Sequence, residues 1–412
     1  MMPKVLMTAF LSAGLSICAF AAQPRSEAEP GFMLLKRNCP DPWLCREGGR
    51  FYLTQTGYSS VSVIGADDLF GLTQTDCTKC VIYDATKDPT LRRLGFKGVK
   101  GVWSPELHKF TDEDFPGHGG WYLFVALVDA GRPGFGGLAS VVLKSRDGRP
   151  DGPYGHPVTG EANTSALILR DDGSEQLDWG GGRSILRIHD GPFRGIYCCW
   201  VTERNRGERN FHQVLEISKM ALPWRQTGKV ASICRPTQPW EMVGSGRTGA
   251  KEKSRRYRPQ VVEGVTALYG DRPNEIYLMY SGSGYWTFYG LGQLTWTGED
   301  PLVASSWRKY ANNPVFSVAD ASLRHLPNVM KQGVGHASYF KDAAGQRFLV
   351  YHAYPYNPTD RETVVDGELL KPQTKGRHRH AYVEPYRIDH TAWNGVGWGV
   401  VTIGDGSGAP AR

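Results

Sequence analysis

Clean helical periodicity, long apolar runs and a strong excess of one charge are all missing from the body of this chain. No extended stretch of its 412 residues repeats apolar positions at the helical spacing, so helix is expected to be scarce. The net charge of +7 is modest for that length and gives no reason to expect a nucleic-acid partner. Its densest basic stretch, KEKSRRYR from Lys251 to Arg258, reads as a solvated loop. Cysteine is sparse too. With Cys18 in the leader described below, Cys39, Cys45, Cys77, Cys80, Cys198, Cys199 and Cys234 remain, an odd set that leaves one thiol unpaired unless it joins two chains. Short loops could pair Cys39 with Cys45 and Cys77 with Cys80, and Cys234 could reach Cys198 or Cys199. Cys77-Thr-Lys-Cys80 finds no second C-x-x-C and no H-x-x-x-H to complete a tetrahedral metal set. The G-x-G-x-x-G formed by Gly244, Gly246 and Gly249 lacks the strand before it and the helix after it that a dinucleotide site requires. No required cofactor is expected.

Glycine, proline and aromatics are plentiful: 50 Gly and 26 Pro accompany 16 Phe, 12 Trp and 19 Tyr. That mixture suits many turns between broad apolar strands, and so an all-β protein. The first residues, MMPKVLMTAFLSAGLSICAFAA, combine Lys4, an apolar core and the small residues Ala19 and Ala21. They read as a secretory signal over residues 1–21 with cleavage before Ala22, too short for a membrane span. A lipoprotein signal would want a small residue where Ile17 stands. The expectation is a soluble, exported, extracellular monomer with no membrane partner.

Five aromatic segments recur at nearly even steps. FYLTQT centres on Tyr52, WYLFVAL on Tyr122, GIYCCWV on Tyr197, EIYLMYS on Tyr277 and RFLVYHA on Phe348, at intervals of 70, 75, 80 and 71 residues. A turn signal precedes each: EGGR, GHGG, GPFRG, GDRPN and AAGQ. A period that long accommodates about four strands with their turns, which is one propeller blade. Five such units would fill most of the chain from residue 22 to 412 as a single five-bladed β-propeller.

An ionisable residue leads each segment. Asp41, Glu106, Asp178, Glu263 and His336 lie 11, 16, 19, 14 and 12 residues ahead of the respective strand centres. Innermost strands of a propeller line its central channel, so equivalent positions in successive blades converge on one axis. Carboxylates scattered in sequence become neighbours.

The residues around these positions resemble glycoside hydrolase family 43. The similar segments, in order from about residue 38 to 400, are Cys39-Pro40-Asp41-Pro42 with FYLTQTG, Val102-Trp103-Ser104-Pro105-Glu106-Leu107, Leu177-Asp178, Val262-Glu263-Gly264 with YLMYSGSG, and Gly333-Val334-Gly335-His336-Ala337-Ser338 with LVYHAY. The resemblance implies a five-bladed propeller and an inverting glycosidase with Asp41 as general base, Glu263 as general acid and Asp178 as the third carboxylate that orients the acid. The chemistry needs this division, since one carboxylate must be ionised to activate water while another keeps a proton for the departing oxygen. Inversion asks for a separation of about 6.5–9.5 Å between them. A nearby third carboxylate keeps the acid protonated by like-charge repulsion.

Two departures from the family pattern stand out. Glu263-Gly264-Val265 replaces the usual Glu-Gly-Pro, and Asp178-Trp179 followed by GGGR replaces Asp-Pro, which leaves Asp171 and Asp172 as alternatives for the third carboxylate. Substrate contacts are expected from Trp103 and Glu106, with Trp43 or Tyr285 as further walls. His336 matches the family's axial histidine, which either faces a loosely held calcium or hydrogen-bonds the catalytic aspartate. Arg379 matches the basic residue near the acid or base, with Arg377 as the competing register. His378 and His380 read as part of a polar loop leading into the strand AYVEPYRI.

Family members act on α-L-arabinofuranosides, arabinan, β-xylosides and galactan. Many β-xylosidases among them carry a C-terminal β-sandwich, whereas here the final RIDHTAWNGVGWGVVTIGDG fits an outer strand pair, which tilts the expectation toward arabinofuranosides or arabinan in plant cell-wall polysaccharide. A β-xylosidase and a non-catalytic carbohydrate-binding propeller are the alternatives. A retaining fructan hydrolase would need Arg-Asp-Pro, and the chain offers Arg149-Pro150-Asp151-Gly152.

Overall fold

The computed structural model describes residues 33–74, 78–132, 134–176, 180–205, 211–242, 260–284, 289–317, 332–342, 344–354, 363–365, 368–370, 378–392 and 397–403. The signal segment, Cys77, Asp178, Tyr285, Arg377, the G-x-G-x-x-G stretch and the basic run Lys251 to Arg258 lie outside them.

Strands follow one another in antiparallel meanders. After β1 (Met33–Lys36), blade 1 comprises β2 (Trp43–Glu47), β3 (Arg50–Thr54), β4 (Ser60–Ala66) and β5 (Thr78–Asp84). Blade 2 comprises β6 (Val99–Phe110), β7 (Gly120–Asp129) and β8 (Leu138–Ser145), with the short β9 (Tyr154–Gly155) and β10 (Ala166–Leu167) both on β8. Blade 3 is β11 (Gly180–Ile188), β12 (Gly195–Arg204), β13 (His212–Leu222) and β14 (Arg225–Cys234). In blade 4, β15 (Val262–Tyr269), β16 (Ile276–Gly282) and β17 (Gly290–Trp296) precede β18 (Trp307–Lys309) and β19 (Phe316–Ser317), which share the edge of β17. Blade 5 has β20 (Gln332–Lys341) and β21 (Arg347–Tyr354), then the hairpin β22 (Thr363–Val365) and β23 (Glu368–Leu370) in sequence, then β24 (His380–Asp389). Two strands divide the outer edge of β24: β1 pairs along Ala381–Val383 and β25 (Val400–Ile403) along Tyr386–Asp389. Blade 5 is therefore built from both ends of the described chain, which closes the ring. Among the described residues the α-helix is confined to Pro89–Arg93, where Asp88 caps the first turn and proline occupies it.

The aromatic segments are the second strands β3, β7, β12, β16 and β21. Each is covered on both faces by neighbouring blades, which explains why they read as continuous apolar runs without a period of two. Blade contacts account for five apolar clusters: Tyr52 and Val63 meet Leu107 and Trp121 between blades 1 and 2, Phe110 and Phe124 meet Ile185 and Trp200 between blades 2 and 3, and Leu186 and Val201 meet Val262 and Leu278 between blades 3 and 4. Leu268 and Met279 meet Val334 and Tyr351 between blades 4 and 5, and Leu44 and Leu53 meet Val350 and Val383, with Leu35 of β1, between blades 5 and 1. Each buried Leu, Val or Phe in these seams contributes about 1.5–3 kcal/mol through removal from water. The fold is a five-bladed β-propeller.

The innermost strands share a kink. Register shifts fall at Trp103/Glu106, Gly181/Ser184, Glu263/Thr266 and Gly335/Ser338. At each shift one residue is left-handed: Ser104 (φ 48°), Gly182 (φ 52°), Gly264 (φ 57°) and His336 (φ 49°), and Asp41 (φ 51°) takes the same conformation just before β2. A bulge re-aims the side chains beside it and ends regular pairing. Two residues beyond the left-handed position, side chains tie one blade to the next: Trp43 Nε1 donates to the Leu107 carbonyl at 3.0 Å, Thr266 Oγ1 to that of Ala337 at 2.8 Å, and Ser338 Oγ to that of Pro42 at 3.2 Å.

The six described cysteines, Cys39, Cys45, Cys80, Cys198, Cys199 and Cys234, are all free thiols, contrary to the pairings expected above. Placement in different seams or on different strands supplies the reason. Cys39 packs into the seam between blades 5 and 1 whereas Cys45 faces the one between blades 1 and 2. Cys198 and Cys199 likewise point to opposite faces of β12. Cys199 and Cys234 share a seam, but β13 runs between their strands, so they are about two inter-strand spacings, or ~10 Å, apart.

Candidate active site

Asp41 sits between two prolines in the left-handed conformation, which a short polar side chain tolerates better than most. Its carboxylate is surrounded by side chains from blades 5 and 1. Arg379, just ahead of β24, places Nη1 2.9 Å from Oδ1. His352 of β21 brings Nδ1 to 3.1 Å of the same oxygen, and His336 of β20 brings Nδ1 to 3.6 Å. Thr56 donates to Oδ2 at 2.5 Å while its own oxygen accepts the Ser104 N–H at 2.8 Å, so the loop after β3 joins Asp41 to the bulge of β6.

Burial by itself would raise the Asp41 pKa, but the Arg379 guanidinium, followed by the two histidines, holds the carboxyl well below its usual range. Burial and then the neighbouring arginine push His352 down to about 3. Burial likewise lowers His336, with the Asp41 charge opposing it. Both imidazoles are therefore neutral near pH 7, and Arg379 carries the permanent charge that keeps Asp41 ionised. The Asp41 N–H donates to His352 Nδ1 at 3.0 Å. Arg379 Nη1, which can only donate, lies 3.3 Å from the other ring nitrogen, Nε2, so both nitrogens of His352 face a donor and the crowding disfavours a second ring proton. Asp41 keeps 11% of its side chain exposed, enough for water to reach it.

Glu263 stands on the opposite electrostatic footing. It precedes the left-handed Gly264 in β15, half-buried, and it accepts from Tyr289 Oη at 3.0 Å and Gln213 Nε2 at 3.3 Å. Burial raises its pKa. The Tyr289 hydrogen bond opposes that, the Asp41 charge adds to it, Gln213 opposes it more weakly, and the net result lies above the ordinary glutamate value. Gln213 Oε1 has no partner, so turning this amide over would let it accept a proton from Glu263. Two carboxyls within electrostatic reach of one another are thus driven in opposite directions, the arrangement by which one group serves as base and the other as acid at the same pH.

Tyr289 connects the two halves. Its ring stacks on His352 with centroids 5.6 Å apart and planes 7° from parallel. Gly335 makes room for it, because a Cβ there would lie 2.2 Å from Tyr289 Cδ1. His336 N–H donates to Ser281 Oγ at 2.8 Å, which locks the bulge of β20 against β16.

Of the residues singled out in the sequence, Asp41, Glu263, His336 and Arg379 come together here. Trp103 occupies in β6 the register place that Glu263 occupies in β15, one residue before the left-handed position, and it packs partly on Ala126, Val128 and Leu138. Glu106 is set apart: 3% exposed, its Oε2 lies 2.8 Å from His108 Nε2 with the Ser184 hydroxyl beside it, and burial pushes its carboxyl well up. Its place in β6 matches those of Trp43, Thr266 and Ser338, which tie blades together. Trp43 itself packs between blades 1 and 2 with its ring 4.7 Å from that of His108. Asp171 and Asp172 lie exposed in a turn, where Asp172 accepts from Ser174. Arg149 and Asp151 bond to each other in another turn.

Thr56, Gln213, Tyr289 and His352 join the site although no motif spacing marks them. His352 lies within the LVYHAY strand already marked as aromatic, and it pairs in register with Gly335, next to His336. That pairing was the available signal. Around His336 the described residues offer imidazole nitrogens and one carboxylate already engaged by Arg379, which is no oxygen cage for calcium, and among the described residues no group of three His, Cys, Asp or Glu side chains is placed to hold a metal ion.

Residues 34–372 match the family described as Glycosyl hydrolases family 43. The chain is 27% identical over 355 residues to an extracellular exo-alpha-(1->5)-L-arabinofuranosidase of Streptomyces avermitilis, covering 84% of this chain and 61% of that protein. It is 25% identical to an alpha-L-arabinofuranosidase B of Pyricularia oryzae over 78% of this chain and 56% of that protein. It thus spans about three fifths of the length of these curated relatives. The crystal structure of an alpha-L-arabinofuranosidase from Lactobacillus brevis superposes with a TM-score of 0.62 at 20% identity, over 92% of this chain and 97% of that one, which establishes a common fold. With a family match over most of its length, a five-bladed ring and paired carboxyls at the inner strands, the chain belongs to glycosyl hydrolases family 43.

Proposed function

We propose that this chain is a secreted, inverting glycoside hydrolase that releases α-L-arabinofuranosyl residues from plant cell-wall polysaccharide, arabinan included. The observation that carries this reading is the opposed charge preference of Asp41 and Glu263 within one cluster. Asp41, ionised beside Arg379, takes a proton from water as that water attacks the anomeric carbon. Glu263 gives its proton to the departing oxygen on the other side of the sugar. The cycle ends with Asp41 protonated and Glu263 ionised, and exchange with solvent restores both. Asp178 enters as the third carboxylate, holding the Glu263 proton by repulsion. Trp103 would wall the sugar ring. Glu106 enters as a group that fixes the seam between blades 2 and 3, not as a direct sugar ligand.

Arabinofuranoside as substrate is supported by both curated relatives, which bear that activity in their names. Export is supported by the leader at residues 1–21, with residues 22–412 as the propeller domain, and no described helix is long and apolar enough to cross a membrane. The test is hydrolysis of aryl α-L-arabinofuranoside and aryl β-xyloside by the wild type, Asp41→Asn and Glu263→Gln. Losses of about 10²–10⁴-fold are expected in both variants, with arabinofuranoside the better substrate. Turnover at the wild-type rate in either variant would refute the assignment, preference for xyloside would favour a β-xylosidase, and binding of arabinan without cleavage would make this a carbohydrate-binding propeller.

A further inference from the structure

Tyr58 stands out on the face that carries Asp41. It lies in the turn from β3 to β4 and is 83% exposed, far more than any other large apolar side chain described, and it makes no ring contact among the described residues. Single exposed aromatics are ordinary on a protein surface. What distinguishes this one is the backbone beneath it. Thr56 N–H donates to the Pro40 carbonyl at 3.0 Å, and Gly57 exchanges both of its main-chain hydrogen bonds with Val102, at 2.8 and 2.9 Å. On the far side the Ser59 carbonyl accepts from Ala85 N–H at 2.9 Å. The Thr56 hydroxyl, two residues away, rests on the Asp41 carboxylate and the Ser104 amide. The turn is therefore a strap that joins the base to the strand bearing Trp103, and Tyr58 is its projecting tip.

A ring held on a fixed backbone beside the catalytic base has few rotamers to lose on contact, and an aromatic face suits the C–H face of a sugar. We propose that Tyr58 is a stacking platform for a pentose ring of the polysaccharide chain beyond the sugar being cleaved, a subsite outside the hydrolytic centre. This inference rests on the glycosidase reading for its ligand class. Its position accounts for a side chain that would otherwise expose a large apolar surface at the rim of the site.

The test compares wild type, Tyr58→Ala and Tyr58→Phe in native gels containing arabinan or arabinoxylan, and in kcat/KM on the polymer against an aryl α-L-arabinofuranoside. Slower migration of wild type and Tyr58→Phe than of Tyr58→Ala is expected, with Tyr58→Ala losing about three- to tenfold more on the polymer than on the aryl glycoside. Equal retardation of all three, no retardation of wild type by either polymer, or equal losses on the two substrates would overturn the proposal. Retardation that depends on Tyr58 in a protein that cleaves no glycoside would refute the glycosidase reading and leave the platform standing.

Discussion

Arg379 is the side chain on which the charge of Asp41 depends, because the two neighbouring histidines are neutral near pH 7. The pH dependence of kcat/KM follows with its sign. The proposed reaction needs Asp41 ionised and Glu263 protonated, so the acid limb should lie below the ordinary aspartate value and the basic limb above the ordinary glutamate value. Replacing Arg379 with methionine removes the cation while leaving burial in place, so the acid limb should move up. Tyr289→Phe removes a hydrogen bond that favours the ionised form of Glu263, so the basic limb should move up while the acid limb stays. Profiles of kcat/KM from about pH 3 to 10 check both, and a basic limb unmoved in Tyr289→Phe would contradict the role given to that phenol.

The bulges of the innermost strands turn a pleated blade into a site. Gly264 combines a φ of +57° with a neighbour that leaves little room, since an added Cβ would meet His336 Nδ1 at 3.0 Å. Gly264→Ala should therefore cost about 1–2 kcal/mol in denaturant unfolding through backbone strain, and lower kcat/KM as well by shifting Glu263 and His336. Gly298→Ala supplies the comparison: its φ is +89° with nothing within 4 Å, so it should show the strain cost without the kinetic one. A Gly264 variant with unchanged kcat/KM would contradict the claim that the bulge aims the acid. The sequence made the second strands legible because Trp121–Val128 and Tyr277–Tyr280 are buried on both faces and so read as unbroken apolar runs. It did not reveal the bulges, since the left-handed position is filled by Asp, Ser, Gly, Gly and His in turn and the feature is one of conformation, not of residue type. Spacing ahead of the aromatic strands singled out Asp41, Glu263 and His336, and the family resemblance singled out Arg379, four residues that lie together. His352, Tyr289 and Gln213 reach the centre only through strand pairing and blade closure, and the contrast between Glu106 and Glu263 depends on which side of the kink each occupies.

Closure of the ring brings residues 41, 263, 336 and 379 to one place although hundreds of positions separate the first from the last. β1 completes blade 5, and Leu35 is fully buried in the seam with Leu44, Phe348 and Val383. Leu35→Ala should destabilise the fold by about 2–5 kcal/mol, read as a lower denaturant midpoint. Unchanged stability would mean that the closing strand is dispensable. At this scale the propeller acts as a frame that brings two carboxyls of opposite charge preference together, as the proposed reaction requires. The most direct measurement of that arrangement is proton NMR of an aryl α-L-arabinofuranoside during the first minutes of hydrolysis, before the free sugar mutarotates. The β-anomer of arabinose should appear first, and initial release of the α-anomer would contradict attack by an Asp41-activated water across from Glu263.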